Sequence, residues 1–313
     1  MTAAFATRAE SGLPHPEGVR SRVSLAPHTT FKVGGAAEWY CEPQSSEDLQ
    51  RYWQWAVEQE LPVTLMGLGS NLLISDRGLP GLAINLRRFR GYKILGDGRL
   101  WAAAGEPVVK LAHVAAQHGW RGMEWAVGIP GTVGGAVTMN AGAHGASTAD
   151  ILESATVLDD RQQSVTLTPD QLGFAYRTSV LQTQRRWLVT GAIFQLEPGG
   201  EPEQVKAQTQ ANWTHRSSTQ PYDMPSCGSV FRNPQPKAAG WLIEQTGLKG
   251  FQLGGAQVAE RHANFILNRD RASASDIHAL IRHVKERVRD RWSLVLHPEV
   301  KVLGEFDRSL LSA

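Results

Sequence analysis

The sequence is poor in cysteine: Cys41 and Cys227 are the only two among 313 residues. Two thiols cannot form the disulfide framework of a small secreted domain, and they fit a reducing compartment. No apolar run approaches the length of a bilayer span, and the opening stretch MTAAFATRAESGLPHPEGVR lacks the apolar centre of a secretory signal. Its polar character, with Pro and Gly, predicts a flexible tail over residues 1–19. An excess of one charge is missing too. The 32 Lys and Arg against 30 Asp and Glu leave +2, too little to argue for nucleic acid or an anionic membrane. These absences predict a cytoplasmic chain with neither as partner, and no obligate protein partner is indicated.

Familiar catalytic signatures are also missing. The ten histidines form no H-E-x-x-H, and His278 and His283, five apart, do not stack on one helical face, so no metal site is expected. A dinucleotide fingerprint beginning in GLGSN needs glycine at position 72, which is Leu72. A Walker A loop needs Lys and Ser/Thr after its last glycine, yet Gly134 is followed by Gly135. The stretch PSCGSVFRNP, residues 225–234, flanks one glycine with Cys227 and Ser229. Either residue reads as a reactive group or as packing in a turn. Ser229 is not a nucleophile elbow, because its glycine is at 228 and Phe231 stands two beyond it. Nothing in the sequence identifies a base or helix N-terminus that would activate Cys227.

Glycine is what the chain has in quantity. Three clusters stand out: KVGGAAE (32–38), GLGSN (67–71) and GIPGTVGGAVTMNAGAHG (128–145). Glycine lets a backbone approach a ligand closely, and successive N–H groups in such turns cradle phosphate oxygens. Tight turns between strands are the plainer reading. The interspersed Ser70, Asn71, Thr132, Thr138 and Asn140 favour a long phosphorylated ligand gripped by several loops.

Around these loops short β-type runs alternate with a few helices. LPVTLMGLGSN (61–71), RLWAAAGE (99–106), SATVLDD (154–160), SVTLTP (164–169) and RWLVTGAIFQLEP (186–198) read as strands. PVVKLAHVAAQHGW (107–120) reads as a helix, with Pro107 in its first turn and Gly119 as its stop. EPGGEPE (197–203) reads as a linker, and a helical composition follows it. SASDIHALIRHVKERVRDRW places Ile277, Leu280, Ile281, Val284 and Val288 on one helical face. LVLHPEVKVLGEF (294–306) reads as strand, turn and strand. The expected class is α+β, with a glycine-rich domain over 20–200 and a smaller one over 201–313.

One family unites these pieces. HTTFKVGG (28–35), GLGSN, GIPGTVGGAVTMNAGA (128–143), YRTS (176–179), GSVFRNP (228–234), AGWLIEQTGLKGFQLGGAQV (239–258) and HPEV (297–300) occur in one order across nearly the whole chain. In this the chain closely resembles the UDP-N-acetylenolpyruvoylglucosamine reductase (MurB) family of bacterial peptidoglycan synthesis. The resemblance implies an FAD-binding domain of the vanillyl-alcohol-oxidase (PCMH) type, followed by an α+β substrate-binding domain. It implies noncovalent FAD, held by Gly67, Leu68, Gly69, Ser70 and Asn71 and by Gly128, Ile129, Gly131, Gly134, Gly135, Thr138, Asn140 and Gly142. His144, the one histidine inside these loops, reads as a solvent-facing residue and not as a flavin attachment.

The implied reaction is NADPH-dependent reduction of UDP-N-acetylglucosamine enolpyruvate to UDP-N-acetylmuramate. Arg177 would grip the carboxylate, Glu299 would be the catalytic acid, and Ser229 would give a proton to C2. Taken alone, Arg177 reads as a surface ion-pair residue, Glu299 as a solvated turn residue and Ser229 as a cap. Asn233 and Lys249 match substrate contacts, with His262 a further candidate and Tyr222 standing in for a lysine absent from PYDMPSCGS. The span from YRTS to GAIF is too short for the extra tyrosine loop of one subtype, so the shorter subtype is implied. The competing readings are another FAD-dependent oxidoreductase of the same fold and a flavin-binding protein without catalysis.

Overall fold

The structure is a computed structural model, in which residues 13–159, 161–183 and 187–306 are described. It opens with a four-stranded sheet ordered Arg20–Ser24, Ala36–Cys41, Leu79–Asn85, Val63–Met66, its first pair antiparallel and the others parallel. The second sheet is antiparallel throughout, ordered Ser164–Leu167, Leu152–Leu158, Leu188–Gln195, Arg99–Ala103, Tyr92–Gly96. Alternation along these strands buries Trp39, Leu82, Ile84, Leu100 and Phe194 in one core. Helix Ser46–Glu58 adds Leu49, Tyr52 and Trp53 to it, and helix Val108–Gln117 adds Leu111 and Ala115. The strands and the helix read from residues 61–198 are thus present. Pro107 sits just before the helix, and Gly119 closes it with φ +66°.

The rest of the chain builds a three-stranded meander, Gln252–Leu253, Ala256–Val258 and Ile266–Asn268, under helix Ala274–Trp292. All five residues of the expected helical face are buried, each such side chain stabilising the fold by roughly 1.5–3 kcal/mol. Ser273 and Asp276 form a capping box at its start, and Asp76 from the first region accepts from the Ala274 and Ser275 N–H groups at 2.8 Å.

The regions are not separate beads. Phe31, Val33 and Leu73 belong to the second core. Strand Lys301–Leu303 pairs in parallel with Leu72–Ile74, directly after the first glycine loop. Helix Pro202–Thr219 begins at the expected boundary but contacts helix Val108–Gln117 and the turn Glu124–Gly128.

Two expectations are corrected. Residues 294–299 do not form a strand of their own: Glu299 N bonds Val230 O at 2.7 Å and Arg232 N bonds His297 O at 2.9 Å, so the segment serves as a clasp for GSVFRNP. Of the expected tail, residues 1–12 lie outside the described residues. From residue 13 onward it packs: Val19 is buried and Trp55 donates to Pro14 O at 3.0 Å.

Candidate active site

The two regions line one cavity of about 930 Å³. The loop after strand Val63–Met66 contributes Gly67, Leu68, Gly69, Ser70 and Asn71 to its wall. Ile129, Gly131, Gly134, Gly135, Thr138 and Gly142 come from the segment around helix Val133–Met139. Gly69 has φ +67°, and a Cβ there would stand 2.2 Å from His28 O, so only glycine fits. Gly69 is buried, and its N–H, like those of the half-buried Leu68 and Ser70, bonds nothing among the described residues. Unpaired successive N–H groups are what an anion at a nest would satisfy.

Gly135 poses a sharper question. It is an exposed residue of helix Val133–Met139, where glycine costs stability, and beyond its chain neighbours and its own helix backbone the nearest atom to where its Cβ would be is Thr132 Oγ1 at 3.7 Å. Packing within the chain does not require it.

Arg177 and Glu299, separated by 122 residues, meet at the cavity with Nε to Oε1 at 2.9 Å. Arg177 has the left-handed φ of +56°, and its Nη2 donates to Gly142 O at 2.6 Å, its Nη1 to Asn140 O at 3.4 Å. A guanidinium has five N–H groups, so two remain for a ligand. Burial pushes the Glu299 carboxyl above its ordinary range, and the positive charges of Arg177, Arg232 and Arg216 pull against that rise. A carboxyl so placed takes up a proton more readily than a solvated one.

Ser229 lines the same cavity, half-buried, after Gly228 turns the chain with φ +79°. Asn264 fixes the segment from the other side. Its Oδ1 accepts from Phe231 N at 2.9 Å and its Nδ2 donates to Phe231 O at 2.8 Å. Cys227 is buried, and burial together with the charge of Glu299 pushes its thiol well up. It is packing within the second core and not a thiolate nucleophile.

The remaining expected residues divide. Asn233 and His262 line the cavity; Asn233 also accepts from Ala239 N at 3.0 Å, and burial lowers the His262 pKa. Asn140 lies beneath the wall, where its side chain bonds Ala149 N and Ala175 O and ties the glycine segment to YRTS. Gly128 lies outside the lining and accepts from Tyr222 at 3.1 Å; Tyr222 is held by Arg216 Nε at 2.7 Å. Lys249 also lies outside it, paired with Glu244 at 2.9 Å. Sequence reasoning passed over Arg216, His215, Lys301 and Gln182, all in the cavity wall. Lys301, two residues beyond Glu299, offered the one clue.

Residues 37–168 match the family model described as FAD binding domain, and residues 220–303 match that of UDP-N-acetylenolpyruvoylglucosamine reductase, C-terminal domain. A UDP-N-acetylenolpyruvoylglucosamine reductase from a Synechococcus strain is 58% identical over 294 residues, 94% of each chain. The chain belongs to this reductase family. The Acaryochloris marina member is 56% identical over 289 residues, covering 92% of this chain and 94% of its own. The crystal structure of the Thermus caldophilus reductase superposes with a TM-score of 0.78 at 36% identity, over 91% of this chain and all of the other.

The cavity passes a test of fit for FAD. The N–H groups of residues 68–70, which bond nothing among the described residues, would suit its pyrophosphate, and Gly135 leaves the nearby wall bare. Among the described residues no group of three or more His, Cys, Asp or Glu could hold a metal ion, and no helix is long and apolar enough to cross a membrane.

Proposed function

We propose that the protein uses FAD and NADPH to reduce UDP-N-acetylglucosamine enolpyruvate to UDP-N-acetylmuramate, in the cytoplasm, for peptidoglycan precursor supply. Membership of the reductase family supports the substrate class, and the pairing of Arg177 with Glu299 beside the glycine loops is the observation that carries the reading. FAD held along the loops of residues 67–71 and 129–142 would supply the hydride chemistry that links NADPH to the enolpyruvyl double bond. The chain's own residues then manage charge and a proton.

Hydride arrival at C3 moves negative charge onto C2 and the adjoining carboxylate. The two uncommitted N–H groups of Arg177 bind that carboxylate, and their pull strengthens as the charge grows. Glu299 accepts from Arg177 Nε, and burial pushes its carboxyl above the ordinary range; once protonated it would donate a hydrogen bond to the enolate instead of repelling it. Ser229, held by the Asn264 and Glu299 clasps, gives its hydroxyl proton to C2. A hydroxyl is a weak acid at neutral pH, but a carbanion-like carbon is a strong base. No covalent bond to the protein is needed.

The test is direct. The purified protein should carry a flavin absorption spectrum, and its oxidation of NADPH should depend on UDP-N-acetylglucosamine enolpyruvate. A flavoprotein whose NADPH oxidation ignores that substrate would overturn the reading.

A further inference from the structure

Gln182 follows YRTS in the 3-10 turn Val180–Gln182 and lines the cavity, yet no catalytic step uses it. Its carboxamide is committed on every side. Nε2 donates to Arg177 O at 3.0 Å and to Thr138 O at 3.2 Å, while Oε1 accepts from Lys301 Nζ. One side chain therefore joins three segments: the end of the glycine-loop helix, the arginine loop and the strand after Glu299. The partners also fix which way round the amide sits, since two carbonyls require the NH2 end and an ammonium requires the oxygen.

The arginine loop needs such a restraint. A non-glycine residue in the left-handed region persists only where its surroundings hold it, and Arg177 has φ +56°. Its carbonyl takes two donors, Gln182 Nε2 and Arg232 Nη2 at 3.3 Å. Ser179 Oγ, donating to Thr138 O at 2.7 Å, pins the loop to the same helix end that Gln182 grips.

We propose that Gln182 is a positioning residue for carboxylate recognition, holding the Arg177 backbone in its left-handed turn and Lys301 beside it. The inference rests on the reading of Arg177 as the carboxylate anchor. A filler of the 3-10 turn would tolerate glutamate, which keeps the shape and can still accept from Lys301. A positioning carboxamide does not, because glutamate cannot donate to the two carbonyls.

The experiment compares wild type, Gln182→Glu and Gln182→Met as FAD-loaded proteins. It measures backbone hydrogen exchange over Tyr176–Ser179, and affinity for UDP-N-acetylglucosamine enolpyruvate from the perturbed flavin spectrum. Both variants should speed exchange in that segment and weaken binding by about tenfold, the scale of two neutral hydrogen bonds. In an Arg177→Ala background, Gln182→Met should weaken binding no further. Wild-type exchange in both variants, or an equal loss of binding without Arg177, overturns the proposal. A variant that merely fails to fold shows fast exchange everywhere, whereas the proposal requires the change confined to this loop. If the wild type does not bind the enolpyruvyl substrate, the functional reading fails, while the exchange measurement still decides whether Gln182 holds the loop.

Discussion

Replacing Gly135 with alanine separates what the fold needs from what the cofactor needs. In helix Val133–Met139 alanine should outperform glycine by about 0.5–1 kcal/mol, because glycine loses more backbone freedom on folding. Nothing offsets that gain: the atom nearest the new Cβ is Thr132 Oγ1 at 3.7 Å, an ordinary contact. For a chain of this size the flavin-free protein should melt roughly 1–3 °C higher. FAD, however, would meet a methyl group on a wall shaped without one. Overpacking of that kind costs about 1–3 kcal/mol, or about 5- to 150-fold in affinity. Stability of the free protein and affinity for flavin should therefore move in opposite directions. Differential scanning calorimetry of the flavin-free protein and FAD titration by fluorescence quenching measure the two. A variant that binds FAD as tightly as wild type would refute the claim that Gly135 is bare for the cofactor. Gly67→Ala gives the contrast, since its Cβ would stand 2.5 Å from Thr132 Oγ1 and should lower stability and affinity together.

Ser229→Ala should leave flavin reduction by NADPH close to wild type while reoxidation by the enolpyruvyl substrate slows by about 10²–10⁴, as expected on losing a proton donor; stopped-flow kinetics of the two half-reactions check this, and equal loss in both would make Ser229 structural. Cys227→Ser should retain turnover per folded molecule yet unfold at lower denaturant, because it buries a hydroxyl among apolar neighbours at a cost of about 1–3 kcal/mol; abolished turnover would restore the thiol to the mechanism. Glu299 supplies the pH test. Its folded pKa lies above its ordinary 4.5, so the native state binds more protons than the unfolded chain and this carboxyl lowers stability as pH rises above that value. Denaturant titrations across mildly acidic to neutral pH should show Glu299→Gln losing less stability with rising pH than wild type, and parallel curves would contradict the burial argument.

What the sequence made legible depended on local signals. Glycine loops announce themselves because few other residues tolerate their geometry, and helix Ala274–Trp292 is spelled out by period and by its serine cap. The meeting of Arg177 with Glu299 across 122 residues has no local signal, and only the family resemblance pointed to that pair. Gln182 and Lys301 were passed over for the same reason, since each makes sense only beside the other. Residues 294–299 misled because Leu294, Val295 and Leu296 form a short apolar run like a buried strand, whereas Pro298 and the bond from Glu299 N to Val230 O make the segment a clasp. Lys249 was matched to a substrate contact through the family resemblance alone, and in the fold its ammonium pairs with Glu244, five residues earlier.

The parallel pairing of Lys301–Leu303 with Leu72–Ile74 imposes an order in time. Lys301 N bonds Asn71 O at 2.9 Å, and Asn71 Nδ2 bonds Glu299 O at 3.2 Å, so the first glycine loop is braced by residues synthesised more than 220 positions later. While the ribosome is still translating, strands between residues 20 and 103 other than Leu72–Ile74 can begin to pair, but the loop proposed to receive the flavin pyrophosphate lacks one of its edges. Full bracing of that loop waits until residue 303 has emerged. The nascent chain therefore cannot brace the proposed flavin site fully before the segment carrying Glu299 is in place.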